Sequence, residues 1–163
     1  MRTVSNTSPI SNLAIIGQLN LLREQFGEVW IPEAVINESN RISHAPTRDL
    51  ILKSVETGWL VVQPVSDNHI IDALLSHLDR GEAEAIALAS ELKADLLLID
   101  ERDGRRVARE TGLKVRGVLG VLLRAKKTGR LTAIKPLIEL LKSRARFFID
   151  SELEKTILAD AGE

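Results

Sequence analysis

Residues 95–100 read DLLLID, and this stretch decides the fold class. Four apolar residues, Leu96 to Ile99, run without a break between two aspartates. A strand with one wet face would alternate apolar and polar side chains. A continuous apolar run is what a strand buried on both faces needs, and such strands belong to parallel sheets covered by helices. Upstream, GEAEAIALASELK (81–93) has helical spacing. Downstream, residues 103–111 form a basic helical stretch, which Gly112 ends. The unit is helix, buried strand, helix.

The same alternation extends outward in both directions. RTVSN (2–6) reads as the first strand. Ser8 is a candidate N-cap and Pro9 suits the first helical position, so one or two helices should fill 9–26, with a break near Gly17. EVWI (28–31) and WLVVQ (59–63) are strands, separated by helices at 32–39 and 47–57. Residues 66–78 form a helix, KVR (114–116) a short strand, and 118–127, 134–144 and 151–161 further helices. Strands alternating with helices predict an α/β fold with a parallel sheet and helices on both faces.

Composition narrows the function. A chain of 163 residues fits one domain. It has no cysteine, so neither disulfides nor a thiolate metal site can form. No basic-then-apolar leader opens the sequence and no run is long and apolar enough for a membrane span, which points to the cytoplasm. The net charge of -1 hides a strong asymmetry. Residues 1–100 hold 7 basic and 14 acidic side chains, residues 101–146 hold 14 and 4, and residues 147–163 hold 1 and 5. An acidic front and a basic stretch behind it are compatible with a cation on one side and a polyanion on the other. A solvated pair of charged helices is the plainer reading.

The acidic residues have a pattern. Asn6 and Asp100 both end strands, where side chains enter the crevice above an α/β sheet. Asp103 starts the next helix, as a site residue or as a simple cap. Glu38 lies three residues after Val35, so the two share a helical face and Glu38 should turn toward protein. Glu82 and Glu84 stand at a helix start, about 160° apart around the axis. The angle favours Glu82 as the inward one, fraying leaves Glu84 open, and either could be a surface residue stabilising the helix dipole. If these carboxylates converge, two of them about 4 Å apart repel by roughly 4 kcal/mol at an effective dielectric of 20. Oxygen ligands without sulfur suit Mg²⁺ or Mn²⁺, and a metal held this way can activate water against a phosphodiester.

VSNTSPISNLA, IPEAVINES, GEAEAIALA, ADLLLIDERDGRRVA and KVRGVLGVLLRAKKTG, in this order, resemble the PIN domain, in particular a toxin-like branch often catalogued as a domain of unknown function. The resemblance covers nearly the whole chain. It implies a three-layer α/β/α fold with a parallel sheet of four to five strands, here placed over residues 1–146. Residues 147–163 read as a separate amphipathic helical tail whose apolar set, Phe147, Phe148, Ile149, Leu153, Ile157 and Leu158, should dock on the domain or on a partner. The resemblance implies a cytoplasmic endoribonuclease that cuts single-stranded RNA with Mg²⁺ or Mn²⁺, often a homodimer and often a toxin held by a small antitoxin. By resemblance the metal and catalytic positions fall on Glu38, on Glu82 or Glu84, and on Asp100 and Asp103. Asn6 occupies a further metal position where the family usually has aspartate. An amide oxygen can bind a hard ion but brings no charge and cannot act as a base. The alternative is therefore a degenerate, inactive member that binds RNA or protein. Arg102, Arg105, Arg106, Arg109, Lys126 and Lys127 are the candidate phosphate contacts.

Other classes fit less well. Neither G-x-G-x-x-G after the first strand nor G-x-x-x-x-G-K-[ST] occurs. His44, His69 and His77 lack ligand spacing and read as surface residues, and Trp30 and Trp59 read as core.

Overall fold

A computed structural model describes residues 1–163. Five parallel strands form one sheet: β1 (Thr3–Ser5), β2 (Val29–Ile31), β3 (Leu60–Val62), β4 (Leu96–Leu98) and β5 (Val115–Arg116), in the order β3-β2-β1-β4-β5. Val4 of β1 pairs with Trp30 on one side and with Leu97 on the other. The helices are α1 (Thr7–Ile15), α2 (Asn20–Phe26), α3 (Glu33–Asn40), α4 (Ala45–Glu56), α5 (Asn68–Leu74), α6 (Arg80–Glu91), α7 (Arg102–Glu110), α8 (Val118–Lys127), α9 (Lys135–Arg144) and α10 (Ser151–Asp160).

The run at 96–99 is explained by the pleat. Successive strand side chains point to opposite faces. Leu96 and Leu98 join a large core with Ile10, Leu13, Leu22, Val118 and Leu122, whereas Leu97 and Ile99 join a second core with Val4, Ala85, Ile86, Leu88 and Ala108. One face is thus covered by α1, α2 and α8, and the other by α6 and α7. All four residues are buried, which leaves no position for a polar one.

Topology then fixes where a ligand can sit. The chain builds outward from β1 through β2 to β3, then returns to place β4 on the other side of β1. In open α/β sheets, this reversal opens a crevice at the carboxyl ends of the strands. Asn6, which follows β1, and Asp100 and Glu101, which follow β4, stand at that crevice.

One cap differs from expectation. The N-cap of α1 is Asn6, not Ser8, and its side chain makes no capping bond. The Ser8 hydroxyl instead donates to Glu101 Oε1. Pro9 still falls within the first turn. The tail lies on its own chain: Phe147, Ile149, Ile157 and Leu158 pack against the large core. The last residue helps hold it there. The Glu163 carboxylate accepts the backbone N–H groups of Ile134 (2.8 Å) and Lys135 (3.1 Å), at the start of α9.

Candidate functional site at the carboxyl end of the sheet

Parity along the strands divides the acidic residues into two sets. Asp100 follows Leu96 and Leu98 in the two-residue repeat, so it falls on the α1/α8 face. There its Oδ1 accepts the Val118 N–H at the start of α8 (2.8 Å), and its other oxygen, Oδ2, is buried without a partner. Burial pushes its pKa up to about 6, against the lowering effects of the Val118 N–H and the Arg105 guanidinium. Gly117 permits this approach. A Cβ there would meet Asp100 Oδ1 at 2.6 Å and Arg105 Nη1 at 3.0 Å.

The second set gathers around Asn6, which is 3% exposed. Its Nδ2 donates to Glu101 Oε2 (3.2 Å), and the Ser8 hydroxyl takes the other oxygen of Glu101. Asn6 Oδ1 is buried and has no partner. It lies beside Glu38. A Cβ on Gly81 would collide with Glu38 Oε1 and reach Asn6 Oδ1 at 3.2 Å, so a larger residue there would have to push the Glu38 carboxylate aside. Glu38 Oε2 accepts the Thr7 hydroxyl (2.6 Å). This hydroxyl is the donor that an inward glutamate late in α3 requires. Burial, with the charges of Asp79 and Glu101, still holds the Glu38 carboxyl above the usual carboxylate range.

Both glutamates at the start of α6 are buried, and Glu82 is the one that turns toward α7. Its Oε2 lies against Gly104 of α7, where a Cβ would come within 2.5 Å. Burial, a hydrogen bond shared with Asp79 and the negative charges of Asp79 and Glu101 push its pKa up to about 8. The Glu82 N–H also donates to Asp79 Oδ1 (2.8 Å), so Asp79 is the N-cap of α6. Glu84 is equally buried but otherwise engaged. It accepts Arg80 Nε (2.8 Å) and the Ala34 N–H at the start of α3 (3.2 Å). It shares with Glu38, Arg41 and Arg80 the wall of a hollow of about 280 Å³. Asp103 is exposed in the first turn of α7.

Asn6, Glu38, Glu82 and Glu101 thus converge with Asp79 at the rim, and Asp100 stands on the far side of Glu101. The sequence reading missed Glu101 and Asp79. The pattern Asp79-x-x-Glu82 is a capping-box spacing and could have revealed the second. As a donor set these oxygens suit a hard cation. As arranged, no three acidic or histidine side chains are grouped to hold a metal ion.

Arg102 and Arg105 stand near Asp100 at the start of α7, whereas Lys126 and Lys127 end α8, whose start is the end at Asp100. Arg102, Arg106, Arg109 and Lys127 are exposed, and Arg105 is half-buried next to Asp100. Arg106 pairs with Glu110 (2.9 Å). Lys126 is committed to structure: it donates to the Thr132 carbonyl (2.7 Å) and pairs with Glu163 (3.4 Å). His44 caps α4, and His69 and His77 are exposed, in line with their surface reading.

A family model described as a PIN domain matches residues 2–163, almost the entire chain and the tail with it. The chain belongs to the PIN-domain family. Among solved structures, this PIN domain is similar to a PilT N-terminus domain protein of the hyperthermophilic archaeon Sulfolobus solfataricus P2. The two share 20% identity over 92% of this chain and 98% of the other, with a TM-score of 0.51, a likeness of fold. No curated protein matches the chain. The central parallel sheet flanked by helices agrees with the three-layer architecture expected from sequence. No helix of this PIN domain is long and apolar enough to cross a membrane.

Proposed function

We propose that this PIN domain is a degenerate member that binds single-stranded RNA without cutting it. The observation that carries this reading is the hydrogen bond from Asn6 Nδ2 to Glu101 Oε2. With Ser8 on the other oxygen, both Glu101 oxygens are satisfied by protein donors. An aspartate at position 6 would set two carboxylates against each other and create a demand for a cation. The amide removes that demand. Glu82, with its pKa near 8, is largely neutral at physiological pH, which lowers the demand further. The arginines of α7 supply the attraction for a phosphate backbone.

RNA binding should weaken steeply with salt, since each phosphate contact releases a counterion. Filter binding of a single-stranded RNA across a salt series, with gel analysis of the same samples in Mn²⁺ and in chelator, tests both halves of the reading. Salt-sensitive binding with intact RNA supports it. Salt-independent binding, or none, refutes it.

One observation favours a second reading. The buried Asn6 Oδ1 has no partner and lies beside Glu38, where a hard cation such as Mg²⁺ or Mn²⁺ would satisfy both. In that case the protein is a weakened ribonuclease, with the toxin role, small antitoxin partner, homodimer and cytoplasmic setting that go with it. RNA cleavage in Mn²⁺ that Glu38→Gln abolishes would establish this second reading in place of the first.

A further inference from the structure

The C-terminal segment adds a surface that the acidic crevice does not explain. A groove of about 520 Å³ runs between α8 and the segment 147–157, within the range of small-ligand sites. Its lining is mixed: Arg102, Arg105 and Arg116 stand with Leu119, Phe148 and Leu153. Phe148 is 88% exposed, although its neighbours Phe147 and Ile149 pack inward. A fully presented aromatic ring costs solvation and contributes nothing to the core. Arg116 stacks on the Phe26 ring at 5.9 Å, and its Nη1 is buried without a partner. The carboxylates at the groove are already engaged. Asp100 accepts the Val118 N–H through one oxygen and faces Arg105, and Asp150 caps α10.

We infer that this groove is a nucleobase subsite: one base of a bound RNA strand stacks on Phe148 while the adjoining phosphate meets Arg102 and Arg116. The inference rests on the RNA-binding reading above and extends it. Stacking on an aromatic face tolerates any base, and arginines beside it hold the backbone; this is the usual construction of single-strand sites. Arg116 also lines the groove and carries a donor that no protein acceptor takes, for which a phosphate oxygen is the matching chemistry. Position supports the same occupant. A second hollow, of about 360 Å³, shares Asp100, Phe147 and Phe148 with the groove and reaches Ser8 and Glu101. A strand crossing the carboxyl end of the sheet would therefore continue onto Phe148 without a break.

The test uses the full chain and a fluorescein-labelled oligouridylate, read by anisotropy. Because Phe148 is exposed, Phe148→Ala should leave the fold intact, which a thermal melt checks. It should weaken binding about 5- to 150-fold, the range for loss of one stacked base. Phe148→Trp should retain affinity, and its emission, above the background of Trp30 and Trp59, should be quenched by the oligonucleotide. Arg102→Gln should reduce the salt slope by about 0.7, one single-strand phosphate contact. If the wild type does not bind the oligonucleotide, the RNA-binding reading fails and the subsite with it. If the wild type binds and Phe148→Ala binds equally well, the subsite alone is overturned. Unchanged RNA affinity with a dimer that Phe148→Ala dissociates would overturn it in favour of a second copy of the chain.

Discussion

Asn6→Asp is the sharpest perturbation of the crevice. Its effect on the metal-free protein can be worked from the structure. Asn6 Nδ2 now donates to Glu101 Oε2 across 3.2 Å. The substitution removes that bond and puts a second carboxylate oxygen at the same place. Two unit charges at this distance repel by about 5 kcal/mol at an effective dielectric of 20. The full cost is not realised, because the pair can take up a proton. With an ordinary aspartate pKa near 3.9, that escape costs about 4 kcal/mol near pH 7 but only about 1.5 kcal/mol near pH 5. Glu101 is only partly buried and can also swing toward water. The expected loss of stability in chelator is therefore about 1–3 kcal/mol near pH 7 and about 1 kcal/mol or less near pH 5, including the lost hydrogen bond. In a domain of this size, 1 kcal/mol moves the melting midpoint by roughly 2–4 °C. Urea unfolding of both forms, in chelator at the two pH values and again with Mn²⁺, measures each quantity. With the cation, the new carboxylate should bring a larger stabilisation than wild type shows. Equal stability of the two forms near pH 7 in chelator would refute the charge argument. A loss of the same size at both pH values would trace the effect to the missing donor and not to repulsion.

Wild-type stability in chelator should fall as pH rises from about 4.5 to 8. Glu82 and Asp100 have folded pKa values raised to about 8 and about 6, so the folded state binds more protons than the unfolded state across this window. Glu82→Gln should flatten the decline above pH 6, and a wild-type urea midpoint that rises between pH 6 and 8 would contradict the assignment. Gly117→Ala should cost about 1–3 kcal/mol, because the added Cβ would lie 2.6 Å from Asp100 Oδ1 and force that carboxylate off the start of α8. A thermal melt checks this, and an unchanged midpoint would show that Asp100 moves freely. Glu163→Ala should loosen the tail by freeing the Ile134 and Lys135 N–H groups and Lys126. Faster amide exchange in α10 and at the start of α9 would show it, and unchanged exchange would mean that the apolar contacts alone hold the tail.

Much of this was legible in the chain, for reasons local to each element. The run at 96–99 announced a strand buried on both faces, because each face of β4 meets its own core. Glu38 was expected to turn toward protein because it shares a helical face with Val35, and one of its oxygens accepts the Thr7 hydroxyl there. The helical angle favoured Glu82 and left Glu84 open; both are buried, Glu82 beside Asp79 and Glu84 against Arg80 and the start of α3. What the strand ends alone did not reveal was Glu101, the residue after Asp100 at the same crevice. Asp100 was the obvious residue after the buried run, yet its parity sends it to the α8 side. Glu101 keeps the parity of Leu97 and Ile99, and Asn6 that of Val4, so the two meet on the same side of the sheet as the chain turns into α7. A strand end by itself does not say which face its carboxylate serves; the two-residue repeat does.

Asn6 ties these levels together. Its place at the end of β1 follows from the strand, and its burial follows from α3 and α6 closing over the switch point, where a side chain on Gly81 would have to push the Glu38 carboxylate aside. Once buried, its amide had to find an acceptor, and Glu101 is the one within reach. The bond that gives the Asn6 amide nitrogen its acceptor also gives one Glu101 oxygen its donor, and Ser8 serves the other. Asn6 Oδ1 is buried in that arrangement without a partner. Whatever enters the crevice, ion or ligand, should therefore bring a positive charge or a donor to that oxygen first.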